Sequence, residues 1–534
     1  ASIGPGSLNM VTGAALATTN RLPVLLFPSD QFATRIPDPV LQQLEDPTSL
    51  DVSVNDAFRP VSRFFDRINR PEQLIPSLLN AMRVLTDPAE TGAVTVAMPQ
   101  DVQAEVFDWP VEFFRKCVWH VRRPVPEPAA LERAVALIKA AKRPLIIAGG
   151  GTIYAGASEE LRALATATGI PVGDTQAGKG AINFDHPSAV GGVGSTGCDS
   201  GNHIADKADL IIGVGTRYSD FTTASKTQFK NPDVKFVNIN VTPFDAAKES
   251  AEMVVADARE ALAALTEALA DYHVDQAYSD EITAEKEAWL KATERCYHLD
   301  HGPLPAQTEV FGALNELMGE EDVVINAAGS MPGDLQALWQ ARSPLQYHVE
   351  YAFSCMGYEV PAAMGVKLAR PEAEVVSIVG DGTYQMLPME LATVVQENIK
   401  VIYVLLQNYG FCSIGALSES HGSQRFGTKY RQRGEGSHLA DEQVIDGVDI
   451  AVNARSWGLD VLEVHTIEEF KEAYRKAEAS DRPTMIHIET DLYGPNPPGS
   501  SWWDVPVSGV SALESTQRAY EDYQRDRKPQ RHYL

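Results

Sequence analysis

Two short runs of apolar, β-branched residues constrain this chain most. Glu374-Val375-Val376-Ser377-Ile378-Val379 and Lys400-Val401-Ile402-Tyr403-Val404-Leu405-Leu406 each read as a strand buried on both faces, and Met389-Glu390-Leu391-Ala392-Thr393-Val394-Val395 between them reads as a crossover helix. A parallel βαβ unit brings both strand C-termini to one edge of the sheet, where ligands of open α/β sheets bind. The first strand ends in Gly380-Asp381-Gly382-Thr383 and the second in Asn408-Tyr409-Gly410, so that Asp381 and Asn408, 408 − 381 = 27 positions apart, can meet.

Glycines at 380 and 382 let the backbone approach a phosphate closely, and the N-terminus of the following helix favours negative charge. A diphosphate alone would repel Asp381. A hard cation between them removes the objection, because Mg²⁺ accepts carboxylate, amide, carbonyl and phosphate oxygens in one octahedron. The expected metal ligands are Asp381, the Asn408 side chain and the Gly410 carbonyl, with Gly380, Gly382 and Thr383 lining the phosphate. A GDG tripeptide alone is more often a turn, and a strand-end Asn more often a cap; spacing and strand context together favour the ion site. The turn from Asn326 to Gly333, after the strand Asp322-Val323-Val324-Ile325, places Asn326 and Ser330 to touch the same diphosphate.

The rest of the chain repeats the α/β pattern. At 534 residues and 44% hydrophobic it is long enough for three doubly wound parallel-sheet domains. The expected boundaries are 1–121, 129–271 and 300–491, with 492–534 as an arm packing over a site or a partner subunit. Gly149-Gly150-Gly151 is read as a tight strand-to-helix turn, since GxGxxG is absent. Net charge is 45 − 72 = −27, scattered through helices, which disfavours nucleic acid and anionic membrane as partners. Five cysteines without metal spacing fit a reducing cytoplasm, and no run approaches the length needed to cross a bilayer. Small molecules and copies of the chain itself are the expected partners.

The Asp381-to-Gly410 unit resembles the diphosphate-binding motif of thiamine-diphosphate enzymes. Three further stretches match that superfamily in order. Gly4-Pro5-Gly6 looks like the GPG loop of its pyrimidine-binding domain, and Pro99-Gln100-Asp101-Val102 like that domain's closing segment. Met356-Gly357-Tyr358-Glu359-Val360-Pro361-Ala362-Ala363 looks like the loop whose bulky apolar residue, here Met356, wedges beneath the thiazolium. Thiamine diphosphate and Mg²⁺ are the implied cofactors, bound between subunits of a homodimer or homotetramer. Within the superfamily, Phe27 to Arg35, Pro37 to Gln43, Ala57 to Arg63, Tyr493 to Gly499 and Trp502-Trp503-Asp504-Val505 resemble the trihydroxycyclohexane-dione hydrolases of inositol catabolism. That resemblance implies hydrolysis of a C–C bond in a cyclic 1,2-diketone to give 5-deoxy-D-glucuronate. Arg35, Arg59, His421, Asn326 and Ser330 are the candidate polar contacts for the polyhydroxy ring. An acetolactate-synthase-like carboligase is the alternative activity. A third reading is an inactive or partner-dependent homologue: in the family a glutamate upstream of the GPG loop activates the aminopyrimidine, and with GPG beginning at Gly4 no position holds it. No catalytic residue is therefore named, and the chain is expected to be an N-terminally shortened version of the family protein.

Overall fold

A computed structural model describes residues 1–35, 38–433, 439–444 and 448–531; Pro37, which opens one of the segments quoted above, lies outside them. The chain divides into two compact units, Ala1–Pro124 and Val125–Leu534. In the first unit the strands β1 (Val24–Leu26), β2 (Ser29–Asp30) and β3 (Phe64–Arg67) all pair in parallel with β4 (Ala93–Pro99). β4 is almost wholly buried, and the amphipathic helix Leu74–Leu85 covers it with Ala81 and Val84.

The second unit holds two six-stranded parallel sheets. One is built from β5 (Pro144–Ala148), β6 (Val172–Asp174), β7 (Ala189–Gly192), β8 (Leu210–Val214), β9 (Lys235–Asn240) and β10 (Glu252–Val255), in the order β10-β9-β8-β5-β6-β7. This is the strand order of doubly wound nucleotide-binding sheets. Gly149-Gly150-Gly151 is indeed a strand-to-helix turn, with the helix Gly150–Tyr154 starting directly after β5.

The other sheet is β11 (Val323–Asn326), β12 (Tyr347–Val349), β13 (Val375–Gly380), β14 (Ile402–Gln407), β17 (Asp460–Val464) and β18 (Thr484–Glu489), ordered β12-β11-β13-β14-β18-β17; β15 (Arg431–Arg433) and β16 (Leu439–Val444) form a separate antiparallel ribbon. Alternation explains the uninterrupted apolar sequence. Val376, Ile378, Ile402, Val404 and Leu406 enter the core on one face, while Val375, Val379, Val401, Tyr403 and Leu405 enter the core on the other. Both faces are covered by helices, so no polar alternation is left to read. From β11 the chain steps outward to β12 and then crosses back to β13, which makes the β11/β13 boundary the topological switch point where open α/β sheets bind ligands.

After β18 the chain runs back across the second unit. Asn202 Nδ2 donates to Gly499 O (2.7 Å), Ser195 Oγ to Trp502 O (3.1 Å) and Trp503 Nε1 to Asp220 Oδ2 (3.0 Å). The final helix, Glu514–Asp526, is held through Ser515 Oγ and Thr516 Oγ1, both donating to Gly422 O at 2.6 and 2.8 Å. No helix of the described residues is long and apolar enough to cross a membrane.

Candidate active site

The tips of β13 and β14 meet through Asp381. This residue opens the helix Asp381–Met386 directly after β13 and is 1% exposed. Its Oδ1 accepts from Gly382 N (2.7 Å), while Oδ2 accepts from Asn408 N (3.2 Å) and Tyr409 N (2.6 Å) beyond β14. Burial pushes the Asp381 carboxyl up to about 6, although the amides of Tyr409, Gly382, Asn408 and Gly410 favour the charged form. A bound cation would relieve that burial cost.

Asn408 supplies the test of fit. Its Oδ1 is buried and has no hydrogen-bond partner, a placement that costs on the order of 1–3 kcal/mol unless a ligand satisfies it. Tyr409 beside it has φ 59°, a left-handed backbone that a non-glycine residue adopts only under constraint. Among its bonds are Tyr409 N to Asp381 Oδ2 and Tyr409 OH to Glu489 Oε1 (2.7 Å). Gly410 forms an antiparallel bridge with Lys429, but the bonds are made by its neighbours, Phe411 N to Thr428 O (2.7 Å) and Tyr430 N to Tyr409 O (2.9 Å). The carbonyl of Gly410 takes no part in these two bonds. One carboxylate, one amide oxygen and one carbonyl are a hard-donor set for an ion whose other ligands are phosphate oxygens. Such a site needs no cluster of acidic or histidine side chains, and among the described residues none is found.

The glycines play different parts. A Cβ on Gly380 would meet nothing closer than Met331 Cε at 3.6 Å, so packing within the chain does not require glycine there, and the position stays open to a ligand. A Cβ on Gly382 would come within 2.8 Å of the Phe411 ring, so there the close neighbour is the protein itself. Thr383, 3% exposed, lies in the first turn of the helix.

The other residues singled out from the sequence are placed as follows. Asn326 ends β11 beside β13 and is fully buried; Nδ2 donates to His348 O (3.2 Å) and Oδ1 has no partner, so its free atom is an acceptor, suited to a donor or cation rather than to phosphate oxygen. Ser330 donates to Gln307 Oε1 (3.2 Å), and Gln307 in turn donates to Asp334. Met356 sits half-buried in the turn that follows β12, next to Gly357, whose φ is 94°. His421 Nδ1 is engaged by Leu417 O (2.8 Å) of the helix it terminates. In the first unit, Arg59 pairs with Asp56 (2.6 Å) and lies over Phe65, while Arg35 lies over Phe32. Glu359 was not singled out, yet it is a fully buried carboxylate that opens the helix Glu359–Ala369 directly after the turn at this sheet edge, pushed up to about 7 by burial. The available signal was a lone acidic residue in the otherwise uncharged run Met356 to Ala363.

A parallel α/β sheet with a buried carboxylate, an orphaned amide oxygen and a backbone carbonyl at the C-terminal tips of β13 and β14 has the donor types of a class of α/β enzymes that bind a diphosphate through a cation. Residues 131–265 match the thiamine pyrophosphate enzyme central domain, and residues 327–488 match the thiamine pyrophosphate enzyme C-terminal TPP binding domain. The chain belongs to the thiamine pyrophosphate enzyme family. It is 47% identical to the 3D-(3,5/4)-trihydroxycyclohexane-1,2-dione hydrolase 2 of one Bacillus cereus strain, 46% identical to the 3D-(3,5/4)-trihydroxycyclohexane-1,2-dione hydrolase of another, and 45% identical to that of Bacillus anthracis. Each alignment covers 97% of this chain and 84% of the relative.

Proposed function

We propose that this chain is a thiamine-diphosphate- and Mg²⁺-dependent hydrolase that opens 3D-(3,5/4)-trihydroxycyclohexane-1,2-dione at a C–C bond to give 5-deoxy-D-glucuronate, a step of inositol catabolism. The observation that carries the cofactor reading is the meeting of Asp381 Oδ2 with the amides of Asn408 and Tyr409, beside an Asn408 Oδ1 that has no partner. The substrate reading is supported by the names of relatives that align along almost the whole chain.

Asp381, Asn408 Oδ1 and the Gly410 carbonyl would hold Mg²⁺, and the backbone at Gly380 to Thr383 would receive the diphosphate. When bound, thiamine diphosphate supplies a carbon nucleophile that adds to a ketone and accepts the electron pair of the breaking C–C bond. Met356 would support the thiazolium from the turn beyond β12. Arg35, Arg59 and His421 are candidates for the substrate hydroxyls, each with a local partner that a ligand would displace. A homodimer or homotetramer in the cytoplasm completes the proposal. Five free cysteines fit that reducing compartment.

Calorimetric titration tests the cofactor reading. Asp381→Ala is expected to weaken Mg²⁺-dependent thiamine diphosphate binding by more than about 100-fold with an unchanged far-UV spectrum. Unaltered affinity refutes the metal assignment. Incubation with the cyclic dione is expected to yield the open-chain acid; consumption of pyruvate to acetolactate instead would place the chain among the carboligases.

A further inference from the structure

Two turns border the candidate site from separate parts of the chain. One follows β11 and contains Ala328; the other follows β12 and contains Gly357, so both lie at the C-terminal edge of the sheet. Each reaches the segment that carries Asp381. A Cβ on Gly380 would stand 3.6 Å from Met331 Cε, just past the first turn. A Cβ on Gly357, in the second, would stand 2.7 Å from Leu387 Cβ, just past the helix Asp381–Met386.

One side chain joins these turns. Glu359 Oε1 accepts from Ala328 N (3.4 Å) and Oε2 accepts from Gly357 N (3.2 Å). The backbone behind it is fixed to the sheet, with Ser377 Oγ of β13 donating to Glu359 O (3.0 Å) and Tyr403 OH of β14 donating to Val360 O (3.4 Å). The glutamate is fully buried, and no lysine, arginine or histidine of the described residues pairs with it. Burying a carboxylate without a cation is costly. The residue type is explained by what it joins: two backbone N–H groups need two acceptor oxygens, which a carboxylate has and a glutamine does not.

We infer that Glu359 is a positioning residue that sets the separation of the Ala328 and Gly357 turns, and through it the fit of a ligand reaching from one to the other. This rests on the cofactor reading proposed above. Glu359→Gln keeps the size but turns an NH₂ group on one of the two N–H donors. Glu359→Asp keeps both oxygens and the charge but is one methylene too short to span the turns, and it keeps the test open where the glutamine variant fails to fold.

The experiment titrates the full chain and both variants calorimetrically with Mg²⁺ plus thiamine diphosphate and, separately, with Mg²⁺ plus inorganic pyrophosphate, alongside thermal melts without ligand. Thiamine diphosphate affinity is expected to fall about tenfold in each variant and pyrophosphate affinity by less than about threefold, because the smaller ion occupies only the end held by Asp381. Equal losses for the two ligands, or no loss, overturn the inference and leave Glu359 a structural residue only. Failure of the unsubstituted chain to bind thiamine diphosphate with Mg²⁺ sinks the cofactor reading and this one together.

Discussion

At the scale of single residues, Asn408 and Tyr409 carry the marks of a site rather than of a fold. A buried amide oxygen without a partner and a tyrosine at φ 59° both cost stability in the ligand-free chain. Asn408→Ala is therefore expected to leave the ligand-free melting temperature unchanged or slightly raised while weakening Mg²⁺-dependent thiamine diphosphate binding by about 10- to 100-fold. Differential scanning calorimetry with and without ligand checks both signs; a marked drop in melting temperature with intact binding would make Asn408 a strand-end cap. Asp381 and Asn408 were legible in the sequence because spacing and strand context put them together. The left-handed Tyr409 was not, since one of its partners, Glu489, comes from a strand 80 residues further on. Glu359 was missed for a related reason: its partners Ala328 and Gly357 come together only after β11 and β12 pair.

Elements were read well where their periodicity is local. The two apolar runs are β13 and β14 within about two residues, because strands buried on both faces show an unbroken β-branched signal. The connection between them is less simple than one helix. It is two, Asp381–Met386 and Glu390–Gln396, separated at Leu387-Pro388-Met389, because proline lacks the N–H that a continuous helix would use. The helix Met331–Leu338, which brings Ser330 to the sheet edge, has its own titratable anchor. Asp334, 9% exposed, accepts from Gln307, which also receives Ser330 Oγ. Burial raises the Asp334 carboxyl from 3.8 to about 7. The folded chain thus binds the proton more tightly than the unfolded one, and this contribution to stability is complete below about pH 4 and is lost as pH climbs to about 7, with an upper bound of about 4 kcal/mol. Asp334→Asn removes the dependence, so urea unfolding midpoints are expected to favour the variant increasingly between pH 5 and pH 8; a constant difference would show that Asp334 titrates normally.

For the molecule as a whole, every proposed ligand to the diphosphate and its ion lies in the second compact unit, which has its own apolar cores on both sheets. A fragment spanning Val125–Leu534 is accordingly expected to bind Mg²⁺-pyrophosphate within about twofold of the full chain by calorimetry, since intact cores rather than the first unit hold the loops. A loss of binding would assign the first unit a share in that end of the site. Resemblance extended the sequence reading over almost the whole length, but it gave no route to the path of residues 492–531, whose partners at Ser195, Asn202, Asp220 and Gly422 are remote in sequence and ordinary in type. That path bears on biosynthesis. Ribosomes deliver chains from the amino end at roughly 5–20 residues per second, so Ser515 and Thr516 emerge only after every strand of both sheets. Until then the bend at Gly422, one helix beyond Gly410, waits without its two hydroxyl partners, and a nascent chain that has emerged from the ribosome only as far as residue 490 would offer chaperones an unbraced rim on an otherwise finished scaffold.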